Sequence, residues 1–403
     1  MAVLASDSGD RFAGHIVTTA RPLRIAIVAP YDLSAAGGIN NQIRAQARAL
    51  RRLGHTVGVA GPASRTLQDG ERSLGRTWSV TLGGTESGLG VDPRAFAAAG
   101  RLLREPLDIV HVHEPLVPFV PWIVLMRSRA PLVGTFHVHR EEGHRFYPST
   151  AWALQPLARR LRARLVVSEA ARRTVAPHFP GEYQIVPNGI ELDRFRAPQS
   201  RPAGWLRDRR HVLYVGRLEP RKGVEHVIRA MARIHRQAPD ATLIIVGDGS
   251  ERMRLTQLSH ELGVPVQFEG RVTDEALPAY LQAADVVCSP ALGGESFGIV
   301  LLEAMACAKP IVASRIDGYE ALVGRSECAT LVPPGDADAL ATAVLALLES
   351  ADRRRALGER GAALVRDYEW PVIAARLVSI YQRVLQETTG STPGPSRSDT
   401  TSQ

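Results

Sequence analysis

Apolar residues come along this chain in short unbroken runs, separated by longer stretches with helical spacing. Arg24–Ala29 contains such a run, as a parallel strand covered on both faces requires. A glycine-containing loop follows, and then a pattern that predicts a helix from Ile39 to Leu53. Further strands are predicted at Thr56–Ala60, Asp108–Val112, Leu132–Phe136, Leu165–Ser168 and Gln184–Val186. Between Pro187 and about Arg209 the alternation pauses. Pro, Arg and Gly accumulate there and read as an interdomain linker. A second series then opens, with strands at Val212–Val215, Thr242–Val246, Val266–Phe268, Val286–Ser289, Ile311–Ala313 and Thr330–Val332. Helical spacing holds from Ala337 to Gln386, broken near Ser350 and Trp370. Strand–helix alternation, repeated twice, predicts an α/β protein of two doubly wound domains. The expected units are 21–205 and 206–369, a final helix 370–387, and disordered ends 1–20 and 388–403.

The length of 403 residues exceeds one ordinary core and agrees with two domains. The longest apolar run, Leu116 to Met126, is short and holds Pro118 and Pro121, so no simple membrane-spanning helix is expected. Asp7 and Asp10 stand where a signal peptide needs an apolar core. Cys288, Cys307 and Cys328 have no metal spacing and read as reduced thiols, which suggests a cytoplasmic protein. Residues 1–205 hold 26 arginines against 16 acids, whereas the remainder holds 23 basic residues against 25 acids. A basic first half suits an anionic partner, either a membrane surface or a phosphorylated acceptor; a merely solvated face reads equally well. No helix-turn-helix, zinc module or aromatic stacking set is present, so nucleic acid is not expected. Only Lys222 and Lys309 are lysines.

One segment carries the most chemistry: Gly293-Gly-Glu295-Ser-Phe297-Gly298-Ile299-Val-Leu-Leu-Glu303. If it is helical from Phe297, the two acids stand ~12 Å apart along the axis and on one side. That spacing suits two ends of one hydroxyl-rich ligand. The free N–H groups of a first turn between them suit its phosphates. A nucleotide sugar has that shape. Gly37 and Gly38, between the first strand and first helix, let a backbone approach an anion; a plain turn is the alternative. Arg217 and Lys222, after the first strand of the second half, can neutralise a leaving diphosphate without a metal. Arg221 is either a third cation or a solvated neighbour. Asp336-Ala-Asp338, the only D-x-D, reads as a helix cap, so no obligatory metal or other cofactor is expected. His137 closes the strand Leu132–Phe136 and is a catalytic or sugar-contacting candidate at the cleft mouth. His139 and His144 lie nearby without zinc spacing. His111 and His113 alternate on one strand and read as structural.

With these residues the chain resembles the family 4 glycosyltransferases of the GT-B fold, in particular the bacterial phosphatidylinositol α-mannosyltransferases. Pro30-Tyr31 with Gly37-Gly38, His111-Val-His113-Glu114-Pro, Thr135-Phe-His137 and Pro187-Asn-Gly-Ile fit the same family. The likeness runs from about Arg24 to Leu385. It implies two facing Rossmann-like domains, the first for the acceptor and the second for the nucleotide sugar, with the final helix crossing back to the first. It implies that Glu295 binds the sugar, Glu303 the ribose, and Arg217, Lys222 and Gly38 the diphosphate. His137 would touch the transferred sugar and Asp274 the guanine. Val272, Phe297, Gly298 and Ile299 would complete the donor site, with Tyr31 and Asn40 on the acceptor side.

Several positions depart from the resembled pattern. Asn40 stands for a glutamine in the acceptor pocket. The loop Thr81–Gly90 lacks an expected base, Glu142 stands for a phosphate-binding lysine, and Leu277 for a base-contacting one. The expectation is a retaining transferase that moves mannose from GDP-mannose to phosphatidylinositol or another polar or lipid acceptor. It would work peripherally on the inner face of the cell membrane. Arg94, Arg101 and Arg104, or Arg44, Arg48, Arg51 and Arg52, are the candidate contacts with anionic lipid. Another nucleotide sugar with a soluble acceptor, or a non-hydrolysing nucleotide-sugar epimerase, are the alternatives.

Overall fold

The computed structural model describes residues 21–35, 37–82, 85–89, 92–139, 147–206, 208–324 and 326–390. The expectations for residues 1–20, Glu142, His144 and everything beyond 390 fall outside this range.

Two parallel sheets stand at the centre of two domains. The first runs, in spatial order, Glu71–Ser73, Thr56–Gly61, Arg24–Val28, Ile109–His113, Leu132–Phe136, Leu161–Val166 and Gln184–Ile185. The second runs Val266–Gly270, Ala241–Val246, Arg210–Val215, Val286–Ser289, Ile311–Ser314 and Ala329–Val332. In each sheet the order reverses at the first strand of its domain. That point opens a crevice beyond the strand C-termini, where ligands of such folds bind. The unbroken apolar runs are the central strands. Ile25, Ile27, Val110, Val112, Leu213, Ile244 and Val287 are essentially inaccessible, because helices cover both faces.

The expected element order holds, and the differences are local. The strand predicted at Leu165–Ser168 occupies Leu161–Val166. Its first four residues alternate buried and more accessible, with Arg162 and Arg164 on the accessible side, so only Leu165 and Val166 form an apolar run. Ser168 instead caps the helix Glu169–Val175 by accepting from the Ala171 N–H at 3.1 Å. The stretch given as the loop Thr81–Gly90 belongs to a hairpin of Trp78–Leu82 and Thr85–Leu89. The linker is not a loose tether. It contains the helix Leu192–Arg196 and buries Ile190, Leu192, Phe195 and Trp205.

The final helix, Trp370–Gly390, continues three residues past the expected end at Glu387. Trp370, Ile373, Leu377, Ile380 and Tyr381 lie in one core with Ile25, Ile27, Ile43 and Leu50 of the first domain. Burying a large apolar side chain contributes roughly 1.5–3 kcal/mol, so several together hold the helix across the domain boundary. Its entry is tied down by the backbone. Ile190 N–H donates to Tyr368 O at 2.9 Å and Trp370 N–H to Ile190 O at 3.1 Å. The Trp370 ring leaves no room at Gly189, where a Cβ would lie 2.6 Å from it. Among the described residues no helix is long and apolar enough to cross a membrane.

Candidate active site

The segment that opens the second-domain wall begins with a correction. The helix starts at Ile299, not Phe297, and runs to Ala306. Gly298 has φ +91°, a left-handed conformation that favours glycine, and a Cβ there would lie 2.8 Å from the Tyr319 ring. Glu295 therefore sits in a loop, and only Glu303 is on the helix. Phe297 is buried, edge-on to Tyr368 at 5.8 Å.

Glu295 is nearly enclosed, and two cations share its Oε1. Lys222 Nζ lies 2.8 Å away, and the Arg221 guanidinium donates to the same oxygen. Burial alone would raise the Glu295 carboxyl. Lys222 and Arg221 outweigh it and hold the group below the usual carboxylate range. Arg217 pairs with Glu219 at 2.7 Å, and Glu219 also pairs with Arg221 at 3.2 Å. Three cations thus stand against two carboxylates in one chain. The excess positive charge is partly desolvated and fixed in place, as a diphosphate site needs. Arg221, left open from the sequence, is a full member of this chain.

The N-terminus of the first helix, Gly38–Arg52, faces that of Ile299–Ala306. A Cβ on Gly38 would lie 3.5 Å from Ile299 Cδ1. Two helix N-termini, one from each domain, so converge on the same gap, each with free N–H groups. Ile299 is half-buried. Gly37 is exposed, and a Cβ there would meet nothing within 4 Å.

Glu303 lies about one turn into the helix Ile299–Ala306. Burial pushes its carboxyl up to about 7; the Arg194 guanidinium opposes this and the Asp274 carboxylate adds to it. Asp274 is exposed, and its Oδ2 accepts from Asn41 Nδ2 of the first domain at 3.0 Å. The Asp274 carbonyl takes a bond from Arg194 of the linker helix. Val272 is half-buried beside the core, and Leu277 is buried at the start of its helix. Asn41 and Arg194 were not singled out in the sequence, because their partners lie across the domain gap.

On the first-domain wall the polar groups are neutral or inward-facing. Asn40 is buried and donates from Nδ2 to the carbonyls of Asp32 at 2.8 Å and Ala35 at 2.9 Å. It braces the loop that carries half-buried Tyr31, and only its Oδ1 lacks a partner among the described residues. His137 is 6% exposed. Its Nε2 lies 2.7 Å from His113 Nδ1, so the ring turns onto a neighbouring strand rather than standing openly at the cleft mouth. Glu114, at φ +43°, accepts the backbone N–H groups of His137 and Val138 and fixes this turn. Burial pushes the Glu114 carboxyl up to about 7. No hydrogen bond joins His137 to the Glu295 cluster among the described residues.

The second-domain wall is thus a cation-rich anion site with an acid at one end. Residues 36–194 match the description Glycosyltransferase Family 4, and residues 196–363 match Glycosyl transferases group 1. The phosphatidyl-myo-inositol mannosyltransferase of Mycolicibacterium smegmatis is 32% identical over 366 residues, covering 90% of this chain and 94% of that protein. The GDP-mannose-dependent alpha-(1-6)-phosphatidylinositol monomannoside mannosyltransferase of the same organism is 34% identical over 266 residues, or 62% of this chain and 69% of that protein. Among solved structures, sucrose-phosphate synthase from Thermosynechococcus elongatus superposes with a TM-score of 0.73 at 25% identity, over 90% of this chain and all of that one. The chain is a glycosyltransferase with the GT-B fold and belongs to family 4.

Proposed function

We propose that the protein transfers mannose from GDP-mannose, with retention, to a phosphatidylinositol-type lipid. The observation that carries this reading is Glu295 clamped between Lys222 and Arg221 beside two converging helix N-termini. A sugar hydroxyl can bond to the acid while the diphosphate meets the cations a few ångströms away. Two relatives are named as mannosyltransferases acting on phosphatidylinositol or its mannoside, and one of them is named as GDP-mannose-dependent. Asp274, the carboxylate matched to a guanine reader, lies beside Glu303, the candidate ribose acceptor.

In this reading the bond from C1 of mannose to the β-phosphate oxygen breaks as the acceptor hydroxyl attacks the same face. A diphosphate oxygen takes the hydroxyl proton, so no covalent nucleophile is needed. Arg217, Lys222 and Arg221 stabilise the departing charge. Those cations fill the role a metal would otherwise play, so transfer is expected to continue after treatment with a chelator.

For the lipid surface, two basic faces compete. Arg44 is paired with Glu71, Arg48 with Glu191, and Arg51 with the Val57 carbonyl. By contrast, Phe96, Phe119, Met126 and Trp152 are exposed in the part of the first domain that also carries Arg94, Arg101, Arg104 and Arg127. Exposed apolar groups with nearby arginines suit an anionic bilayer better than a paired helix face does.

Calorimetry with GDP-, UDP- and ADP-mannose tests the donor. Binding should be tightest for the guanine nucleotide; a preference for UDP would overturn this part. Flotation with phosphatidylinositol vesicles tests the surface. Trp152→Ser should weaken binding, and an unchanged isotherm would remove that face.

A further inference from the structure

Six side chains beneath the first-domain wall form one buried polar system. His113 Nδ1 and His137 Nε2 are 2.7 Å apart and the ring centroids 5.0 Å, so the two rings meet edge to edge in nearly one plane. His111 stacks on a face of His113 at 4.7 Å. His111 in turn bonds through Nδ1 to Tyr381 Oη at 2.6 Å and through Nε2 to Thr135 Oγ1 at 2.7 Å. Gln46 Nε2 reaches both His111 and Tyr381. The ring of His137 is therefore held at its edge by His113, which stacks on a histidine anchored to the final helix.

Proton accounting fixes the direction of the central bond. One of its two nitrogens must donate. His113 Nε2 is buried and has no partner among the described residues. If His113 accepted at Nδ1, its own proton would sit on that orphaned Nε2. Buried N–H groups without an acceptor are rare and cost more than a bare acceptor does. His113 therefore donates from Nδ1, His137 accepts at Nε2, and the single proton of the His137 ring sits on Nδ1.

We propose that His113 is a positioning residue that fixes His137 as its Nδ1–H tautomer, so that His137 meets the transferred sugar as a hydrogen-bond donor and not as a base. The surroundings support neutral rings. Gln42 and Gln46 face the pair from the first helix, Trp370 from the final helix, and Thr135 and Asn188 from the sheet and the loop beyond it, while Tyr381 meets His111. Glu114 spends Oε1 on backbone N–H groups rather than on either ring. Burial holds the His137 ring down at about 4. The contact with sugar rests on the proposed function above; the tautomer does not.

Histidine-selective nitrogen NMR on the full chain, without substrate, tests the tautomer directly. Peaks are assigned by loss in His137→Asn and His113→Asn. Between about pH 6 and 8, where an ordinary histidine titrates, both rings should stay neutral with the proton on Nδ1. A His137 proton on Nε2, a tautomer average or a doubly protonated ring overturns the proposal. Kinetics test the positioning. His113→Asn keeps a donor where Nδ1 stood, whereas His113→Phe keeps only the stack. The Phe variant should lose about tenfold more kcat than the Asn variant, the size of one hydrogen bond, with donor KM nearly unchanged. Equal losses would make His113 a packing residue only. If the tautomer is found but no nucleotide sugar is turned over, the functional reading fails and the proton assignment stands.

Discussion

The second-domain wall of the cleft places Arg217, Arg221 and Lys222 among Glu219 and Glu295 in one ion-paired chain. The first-domain wall, at the same depth, holds neutral rings and amides: His113, His137, Gln42 and Asn40. In the proposed function the difference follows from what each wall would meet. A diphosphate brings negative charge that grows as the glycosidic bond breaks, so charge fixed beforehand is useful there. A sugar and an acceptor hydroxyl are neutral, and a stray charge beside them would cost desolvation with no partner to offset it. Glu219 and Glu295 keep the cations positioned before any donor arrives.

The most damaging change should fall on the charged wall. Glu295→Ala removes the acid proposed to meet the sugar and strips Lys222 and Arg221 of their shared partner. Transfer should drop by at least about 100-fold, the order seen when a preorganised electrostatic group is removed. Circular dichroism should still report a folded chain. Near-normal turnover would mean that Glu295 serves only its cations and would dissolve the contrast between the walls.

A smaller effect should appear at Glu303, where the charged wall is least charged. Its carboxyl, raised to about 7 by burial, is largely protonated below that pH. In the proposed function a ribose hydroxyl would then lose its charged acceptor. Donor KM should rise as pH falls through 7. Glu303→Gln should show no such rise, with donor binding about tenfold weaker at pH 8, the worth of one hydrogen bond to a charge. An unchanged pH profile in the variant would take Glu303 out of the donor site.

The sequence made the charged wall more legible than the neutral one, and for a physical reason. Parallel strands covered on both faces appear as apolar runs, so Leu132–Phe136 and Val286–Ser289 were placed to the residue. Where arginines interrupt the pattern, as in Leu161–Val166, four of the strand's six residues were missed. Glu295, Arg217 and Lys222 stand close in sequence to recognisable turns, and Glu295 and Lys222 meet in space. Asn41, Arg194 and Glu114 act on partners 23 to 233 positions away. No local spacing reports such a contact. His137 was found as a residue, but its ring direction depends on His113 across a strand pair and was not foreseen.

The gentlest test lies on the neutral wall, at Glu114. Burial raises its carboxyl to about 7 from an ordinary 4.5, although the N–H groups of His137 and Val138 pull the other way. Between those two values the folded chain holds a proton that the unfolded chain releases. The share of stability due to this proton therefore falls as pH rises through that window and levels off above it, with a slope of up to ~1.4 kcal/mol per pH unit. Glu303 adds a second contribution of the same sign. His111, His113 and His137, held below their ordinary 6.5 by burial, contribute with the opposite sign below that value. Glu114→Gln keeps an oxygen for the two N–H groups but has no proton to lose, so it should flatten one share of the slope without shifting the low-pH stability by much. Thermal unfolding of the two proteins from about pH 5 to 8 reads this directly, since only groups that titrate differently on folding can tilt the curve. Parallel curves would mean that Glu114 is ionised at pH 7, and the first-domain wall would then carry a buried charge after all.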